Sequence, residues 1–275
     1  MPPRLGILAG SGPLPGLLLE AGRAQGRDPF IVAFEGFADD PRLFQAPHAR
    51  VNLTQVGKLF EALRGAGCAE IVLCGRLARP AWREIRPDWK GLTLLPKLVA
   101  AQGGDDALLR VIVAEFEAEG FGVLGADQIL AELAAPAGAL GTRQPDDQAK
   151  ADIARAVALL RGLGRFDVGQ GAIVQQGRVL GIEAAEGTDG LIRRCGALRQ
   201  PGPGGVLVKL RKPGQERRVD LPTIGVDTVR EAAAAGLAGI AVEAGGALVV
   251  DRPGVARAAD ESGLFVIGIA AESDG

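Results

Sequence analysis

Residues 5–26 read LGILAGSGPLPGLLLEAGRAQG, and the fold class turns on how this stretch divides. Positions 5–9 form a short apolar run that stops at Gly10, the pattern of a buried strand. After Gly10-Ser11-Gly12, apolar residues return at 14, 17, 18 and 19, a helical spacing that ends near Gly26. Strand, glycine turn and helix in that order open a doubly wound α/β domain, where each buried parallel strand needs a helix to carry the chain back.

The alternation continues outward. Residues 30–34 read as a second strand, 56–64 as a helix and 70–74 (EIVLC) as a third buried strand. From 81 to 135 the pattern is mostly helical, with a long helix begun by GGDD at 103–106 and a short strand in FGVLG at 121–125. Residues 136–147 mix Pro, Gly, Ala and polar residues without periodicity and are expected to link two domains. Beyond them a helix is expected at 148–163 and a hairpin in GAIVQQGRVLGIEAAE turning near Gln176-Gly177. Thr188 is expected to cap a short helix. Further strands are expected at 206–212, on either side of Gly245-Gly246 and in LFVIGI, with helices at 226–235 and 252–262. The expected fold is therefore α/β: a Rossmann-like N-terminal domain with a parallel sheet over residues 1–135, and a second α/β domain with a mixed sheet over 148–275.

Composition removes several function classes. The 275 residues carry 31 basic and 33 acidic side chains, dispersed, for a net charge of -2, so no electrostatic footprint for nucleic acid is present. Cys68, Cys74 and Cys195 are odd in number and lack a CxxC spacing, which speaks against a disulfide framework or zinc knuckle and for a reducing compartment. The N-terminal apolar run is too short for a signal peptide, and charge, Gly or Pro breaks every apolar run before membrane-spanning length. A cytoplasmic protein, meeting a membrane only at its surface, is expected. With one histidine, His48, expected in a surface loop, and no tyrosine, catalysis must draw on carboxylates, lysine, cysteine or a metal.

Five stretches carry candidate chemistry. Gly10, Ser11 and Gly12 lie where a strand hands over to a helix, a place that offers backbone N–H groups to phosphate. A nicotinamide-dependent oxidoreductase, with Glu35 at the ribose position, is the runner-up enzyme class, but the third glycine of the dinucleotide fingerprint would fall at Pro15. In GRLARP, Arg76 and Arg79 follow the third strand and could pair with phosphate. Asp105 and Asp106 either orient a ribose or uracil or simply favour a helix N-terminus. Glu183, Glu186 and Asp189 crowd a strand end in GIEAAEGTDG, a hard-oxygen set suited to Mg²⁺ or Mn²⁺, although strand alternation sends Glu183 and Glu186 to opposite faces. Finally, VKLRKPGQERRVDLPTIGVDT sets Lys209, Lys212, Gln215, Arg217 and Arg218 ahead of Asp220, Thr223 and Asp227, cations beside carboxylates as a phosphorylated substrate with a metal requires. Separately, AWREIRPDWKGLTLLPKLVA at 81–100 interleaves two tryptophans with basic residues and leucines, which fits either an interfacial segment or core packing with a basic rim.

Taken together, LGILAGSGPLP, CGRLARP, GGDDALLR, FEAEGFGVLGADQIL, IEAAEGTDGLIRR, VLVKLRKPGQERRVDLPTIGVDT and GLAGIAVEAGGALVVD resemble the LpxI family along the whole chain. The resemblance implies Mg²⁺-dependent hydrolysis of the pyrophosphate bond of UDP-2,3-diacylglucosamine to 2,3-diacylglucosamine 1-phosphate and UMP, in lipid A biosynthesis of a Gram-negative bacterium. It carries Asp227 over as essential to catalysis. Metal and phosphate chemistry adds the other roles: Asp227 and Lys209 are the expected catalytic residues, and Asp227, with Glu183, Glu186 and Asp189 of the matching acidic string, the expected metal ligands. Gly10, Ser11, Gly12, Arg76, Arg79, Asp105, Asp106, Thr188, Lys212 and Thr223 are the expected substrate contacts. An apolar cleft between the domains is expected for the acyl chains, with transient contact to the cytoplasmic face of the inner membrane and a homo-oligomer left open. A nonenzymatic nucleotide-sugar or lipid-binding module is the competing class.

Overall fold

The computed structural model describes residues 2–77, 86–100, 105–164, 166 and 168–270. The chain forms two compact units, Met1–Ala131 with Glu216–Asp220 and Glu132–Gln215 with Leu221–Gly275.

Unit 1 runs β1 (Arg4–Ala9), α1 (Leu14–Ala24), β2 (Phe30–Phe34), β3 (His48–Val51), α2 (Val56–Gly65), β4 (Cys68–Cys74), α3 (Trp89–Ala100), α4 (Asp105–Ala118), β5 (Gly122–Leu124) and α5 (Ala126–Ile129). Its five strands are all parallel in the order β3-β2-β1-β4-β5, so the strand order reverses between β1 and β4. β1 lies at the centre, and Leu5, Ile7, Leu8 and Ala9 are fully enclosed because helices cover both faces of a parallel sheet. Phe60, Phe116 and Phe121 pack ring against ring under α2 and α4. His48 opens the exposed edge strand β3, with Nδ1 beside the Ala46 carbonyl, rather than lying in a loop. Its neighbours Pro47, Ala49 and Arg50 show no apolar alternation, which hid the strand.

Unit 2 runs β6 (Gly138–Ala139), α6 (Asp147–Gly164), β7 (Gly171–Gln175), β8 (Arg178–Ile182), α7 (Gly187–Gly196), β9 (Val206–Lys209), β10 (Thr223–Ile224), α8 (Val226–Ala234), β11 (Gly239–Glu243), β12 (Leu248–Val249), α9 (Arg252–Ser262) and β13 (Phe265–Ile269). Its mixed sheet has the order β6-β13-β11-β9-β7-β8, with β9, β11 and β13 parallel. Alternation along β9 sorts the faces. Val206 and Val208 join α6 residues Ile153, Ala156 and Leu160, while Leu207 joins Leu191, Ile192, Val229 and Val255 from α7, α8 and α9. Within the stretch expected to link domains, Gly138–Ala139 pair antiparallel with β13. The strand expected over 206–212 ends at Lys209, ahead of Pro213-Gly214.

The hairpin turns where expected: Gln176 and Gly177 hold φ of 50° and 75°, the left-handed pair of a type I′ turn. What fixes it comes from α6. The buried Asp152 carboxylate accepts the N–H groups of Gln176 and Gly177 at 2.8 and 2.6 Å, and Gln148 Nε2 at 3.1 Å. Replacing Asp152 with Ala strands these donors and is expected to destabilise the fold by about 2 kcal/mol or more, with Asp152→Asn costing less because one acceptor survives. Urea denaturation of the three proteins checks the ranking.

Candidate functional site

In an open α/β sheet the ligand crevice lies outside the carboxyl ends of the strands where their order reverses, which in unit 1 is the β1/β4 boundary. Here that boundary is closed by the protein's own backbone. Gly10 N donates to Cys74 O at 2.8 Å, and Ser11 and Arg76 exchange N–H···O bonds of 3.0 and 2.9 Å. Ser11 Oγ also donates to Arg76 O, and Gly12 N donates to Asp39 Oδ1 at 2.9 Å. A Cβ on Gly10 would stand 2.5 Å from Arg76 O, so this glycine is required by the crossing chain itself. Every N–H of the Gly10-Ser11-Gly12 loop thus has a protein acceptor, one of them a carboxylate. A phosphate seated there must displace Asp39, and the dinucleotide-cradle reading loses its donors. Arg79 lies outside the described residues.

Unit 2 gathers a different set at the carboxyl end of β9. Lys209 is only 5% exposed, and alternation points it to the α7 side of the sheet. Its Nζ lies 2.6 Å from Thr188 Oγ1 and 3.4 Å from Thr223 O. Thr188 Oγ1 in turn donates to Glu183 Oε1 at 2.7 Å. Glu183 Oε2 is buried and has no hydrogen-bond partner among the described residues. Gly171 makes room for that carboxylate, since a Cβ there would lie 2.7 Å from Oε2. Thr188 does not cap α7: Glu186 holds that position without a side-chain cap, and the threonine hydroxyl instead joins lysine to glutamate. Sequence reasoning singled out all three residues but not the chain of bonds, because it joins three separate elements.

The remaining expected site residues are dispersed. Glu186 pairs with Arg194 at 2.6 Å, and that bond holds its carboxyl below the usual range. Asp189 lies in the first turn of α7. Asp227 stands in the first turn of α8 with its side chain 91% exposed, 3.7 Å from Arg230 Nη1. Thr223 Oγ1 donates to Leu221 O, and the buried Lys212 donates its backbone N–H to Gln215 Oε1. Asp105 is the first residue of α4. Among the described residues, no three His, Cys, Asp or Glu side chains gather into a metal-holding group, so the four expected carboxylates do not converge. Burial lifts the Cys68 thiol to about 11 and raises those of Cys74 and Cys195 as well, leaving these cysteines poor nucleophiles.

Family models match both halves, the LpxI N-terminal domain over residues 4–133 and the LpxI C-terminal domain over 136–267. The chain is also 48% identical over 273 residues, covering 97% of each protein, to the UDP-2,3-diacylglucosamine pyrophosphatase LpxI of Caulobacter vibrioides. The chain belongs to the LpxI family.

One segment of the LpxI C-terminal match is docked elsewhere. Glu216–Asp220, between the Lys209 and Asp227 strings, belongs to unit 1. Val219 packs on the Phe60, Phe116 and Phe121 core, and Glu216 N donates to Asp106 Oδ1 at 2.8 Å. Asp106, 9% exposed, holds Arg110 with its other oxygen at 2.7 Å. Arg218 reaches Glu216 and Glu117 at 2.8 and 2.6 Å. The described bonds of Asp106 therefore join the strap to α4. The only sequence hint was Val219, an apolar residue among charges.

The Arg218 bonds hold the Glu216 carboxyl below its ordinary value, so the pair contributes stability above the unfolded glutamate value and loses it as pH falls through the folded one. Arg218→Ala is expected to lower the melting temperature at neutral pH, with the gap to wild type closing in acid, once the folded Glu216 carboxyl is protonated. Thermal unfolding at both pH values decides it; a gap that persists in acid assigns the loss to packing.

Proposed function

We propose that the chain is a hydrolase that cleaves the pyrophosphate bond of UDP-2,3-diacylglucosamine with Mg²⁺ (or Mn²⁺), giving 2,3-diacylglucosamine 1-phosphate and UMP. The observation that carries this reading is end-to-end similarity to a pyrophosphatase of that name, beside the bonded group of Lys209, Thr188 and Glu183 in unit 2. We place the enzyme in the cytoplasm, at the inner face of the membrane that supplies its acylated substrate, with an apolar cleft for the acyl chains and a homo-oligomer still open.

The residues fit a hard divalent cation. Glu183 Oε2 is a buried, unpartnered carboxylate oxygen, and Asp227 presents an exposed one. Mg²⁺ commonly takes only one or two protein carboxylates and completes its shell with water and substrate phosphates, so Glu183 or Asp227 would serve as a ligand without three acids gathered in one group. When bound, the cation would withdraw charge from the pyrophosphate oxygens.

The protein's own groups divide the remaining work. The Lys209 ammonium neutralises charge on a phosphate oxygen of the leaving group. Thr188 fixes the direction of both Lys209 and Glu183, so that neither searches rotamers in the transition state. An Asp227 oxygen accepts a proton from the attacking water as its oxygen bonds to phosphorus and the anhydride P–O bond breaks.

Asp227→Ala is expected to keep its melting temperature and to bind UDP-2,3-diacylglucosamine while UMP release falls at least about a hundredfold. Wild-type turnover in that variant removes the role, and a wild-type enzyme that binds the lipid yet releases no UMP with Mg²⁺ replaces the hydrolase by a binding module. Thr188→Val, nearly isosteric, is expected to lower kcat about tenfold or more with KM little changed. Steady-state kinetics separate this from a binding role, in which KM would move instead.

A further inference from the structure

The hydrolytic residues leave one feature of unit 1 unexplained, the outer face of α3. This helix is apolar on two sides. Leu94, 5% exposed, packs inward, with α2 and α4 as neighbours. The helix is also firmly oriented. Asp88 accepts Gly91 N at 2.9 Å and Lys58 N at 3.1 Å, Arg86 N donates to Thr54 Oγ1 at 2.9 Å, and Lys90 pairs with Glu115 and Glu119 at 2.8 and 2.5 Å. Yet Trp89, Leu92 and Leu95 are 80%, 48% and 42% exposed. Three-residue spacing puts them on one stripe of the helix, and exposed Pro96 extends it. Of seven large apolar side chains exposed among the described residues, three form this stripe, so it is not the ordinary scatter of single surface hydrophobes. Arg86, exposed, and Lys97, 61% exposed although it also reaches Glu115, flank it.

We propose that this stripe docks unit 1 on a lipid bilayer, with Trp89, Leu92 and Leu95 entering the boundary between headgroups and acyl chains while Arg86 and Lys97 face anionic headgroups. The proposal rests on the pyrophosphatase reading at one point, that a diacylated substrate is presented by a membrane. Two observations favour a bilayer over a second copy of the chain. A stable protein interface needs about 800 Å² and some 20 side chains from each partner, far more than this stripe offers, whereas a few inserted side chains suffice for reversible binding to lipid. The composition also matches an interfacial helix, with tryptophan and leucine on the apolar side and cations at its rim. No described helix is long and apolar enough to cross a membrane, so docking of this kind would be peripheral.

The test compares full-length protein with Trp89→Ser/Leu92→Ser/Leu95→Ser in co-sedimentation with phosphatidylcholine vesicles, with and without phosphatidylglycerol. Wild type is expected to partition onto vesicles, more strongly with the anionic lipid, and the triple variant to lose about tenfold or more of that partitioning. In a Trp82→Phe background, Trp89 fluorescence is expected to shift to the blue on vesicle addition. Thermal unfolding confirms that the variant folds, and its hydrolysis of detergent-dispersed substrate is expected to match wild type. Equal partitioning of wild type and variant overturns the proposal, as does self-association that the variant abolishes without any vesicle binding. Vesicle binding by a protein that releases no UMP would remove the hydrolase reading alone, and turnover without vesicle binding would remove the docking surface alone.

Discussion

A parallel sheet covered on both faces leaves its polar side chains little room except at the carboxyl ends of its strands. In both units the strands obey this constraint, with β1 enclosed after Arg4 and β9 and β11 along their length. The consequence differs between them. In unit 1 the carboxyl end at the β1/β4 boundary is spent on backbone bonds between Gly10-Ser11 and Cys74–Arg76. In unit 2 the end of β9 carries a lysine so enclosed that it must be satisfied locally. Thr188 satisfies it while also holding Glu183, which sets a buried cation and a buried anion on either side of one hydroxyl instead of in direct contact. A direct lysine–glutamate pair would quench both charges, whereas a hydroxyl spacer keeps each attached to its own element.

The fold was legible because its signals are local. Period-two and period-3.6 patterns located β1, α1, β2, α2, β4, α6, α8 and α9, and Gln176-Gly177 announced its turn by type. What escaped notice lacked such a signal. β3 has no alternation, and β6 and β10 span two residues each, too few to show a period. The candidate site was legible as a list of residues and not as an arrangement. Glycine beside a strand end suggested a phosphate cradle, yet Gly10 is glycine because the β4 exit crosses over it. A glycine needed for close approach of backbone and one needed for a ligand look identical in sequence; only the neighbouring chain tells them apart.

The strap adds a constraint of a different kind. Lys209 and Asp227 are eighteen positions apart, and between them the chain leaves unit 2 after Gln215, docks Glu216–Asp220 on unit 1 and returns at Leu221. The strap therefore packs on a different core from that of the strings on either side of it. Val219 supplies the apolar contact, while Asp106 and Arg218 supply directional bonds that fix its register. This gives Asp106 of the acidic GGDD string a third explanation, besides substrate contact and the helix N-terminus. A helix whose first turn carries the buried Asp106 can hold the strap through a backbone N–H, so that bond depends on strap conformation and not on strap sequence at that position. Substitutions at Asp106 would then act on the strap as well as on α4, because one carboxylate bonds to both.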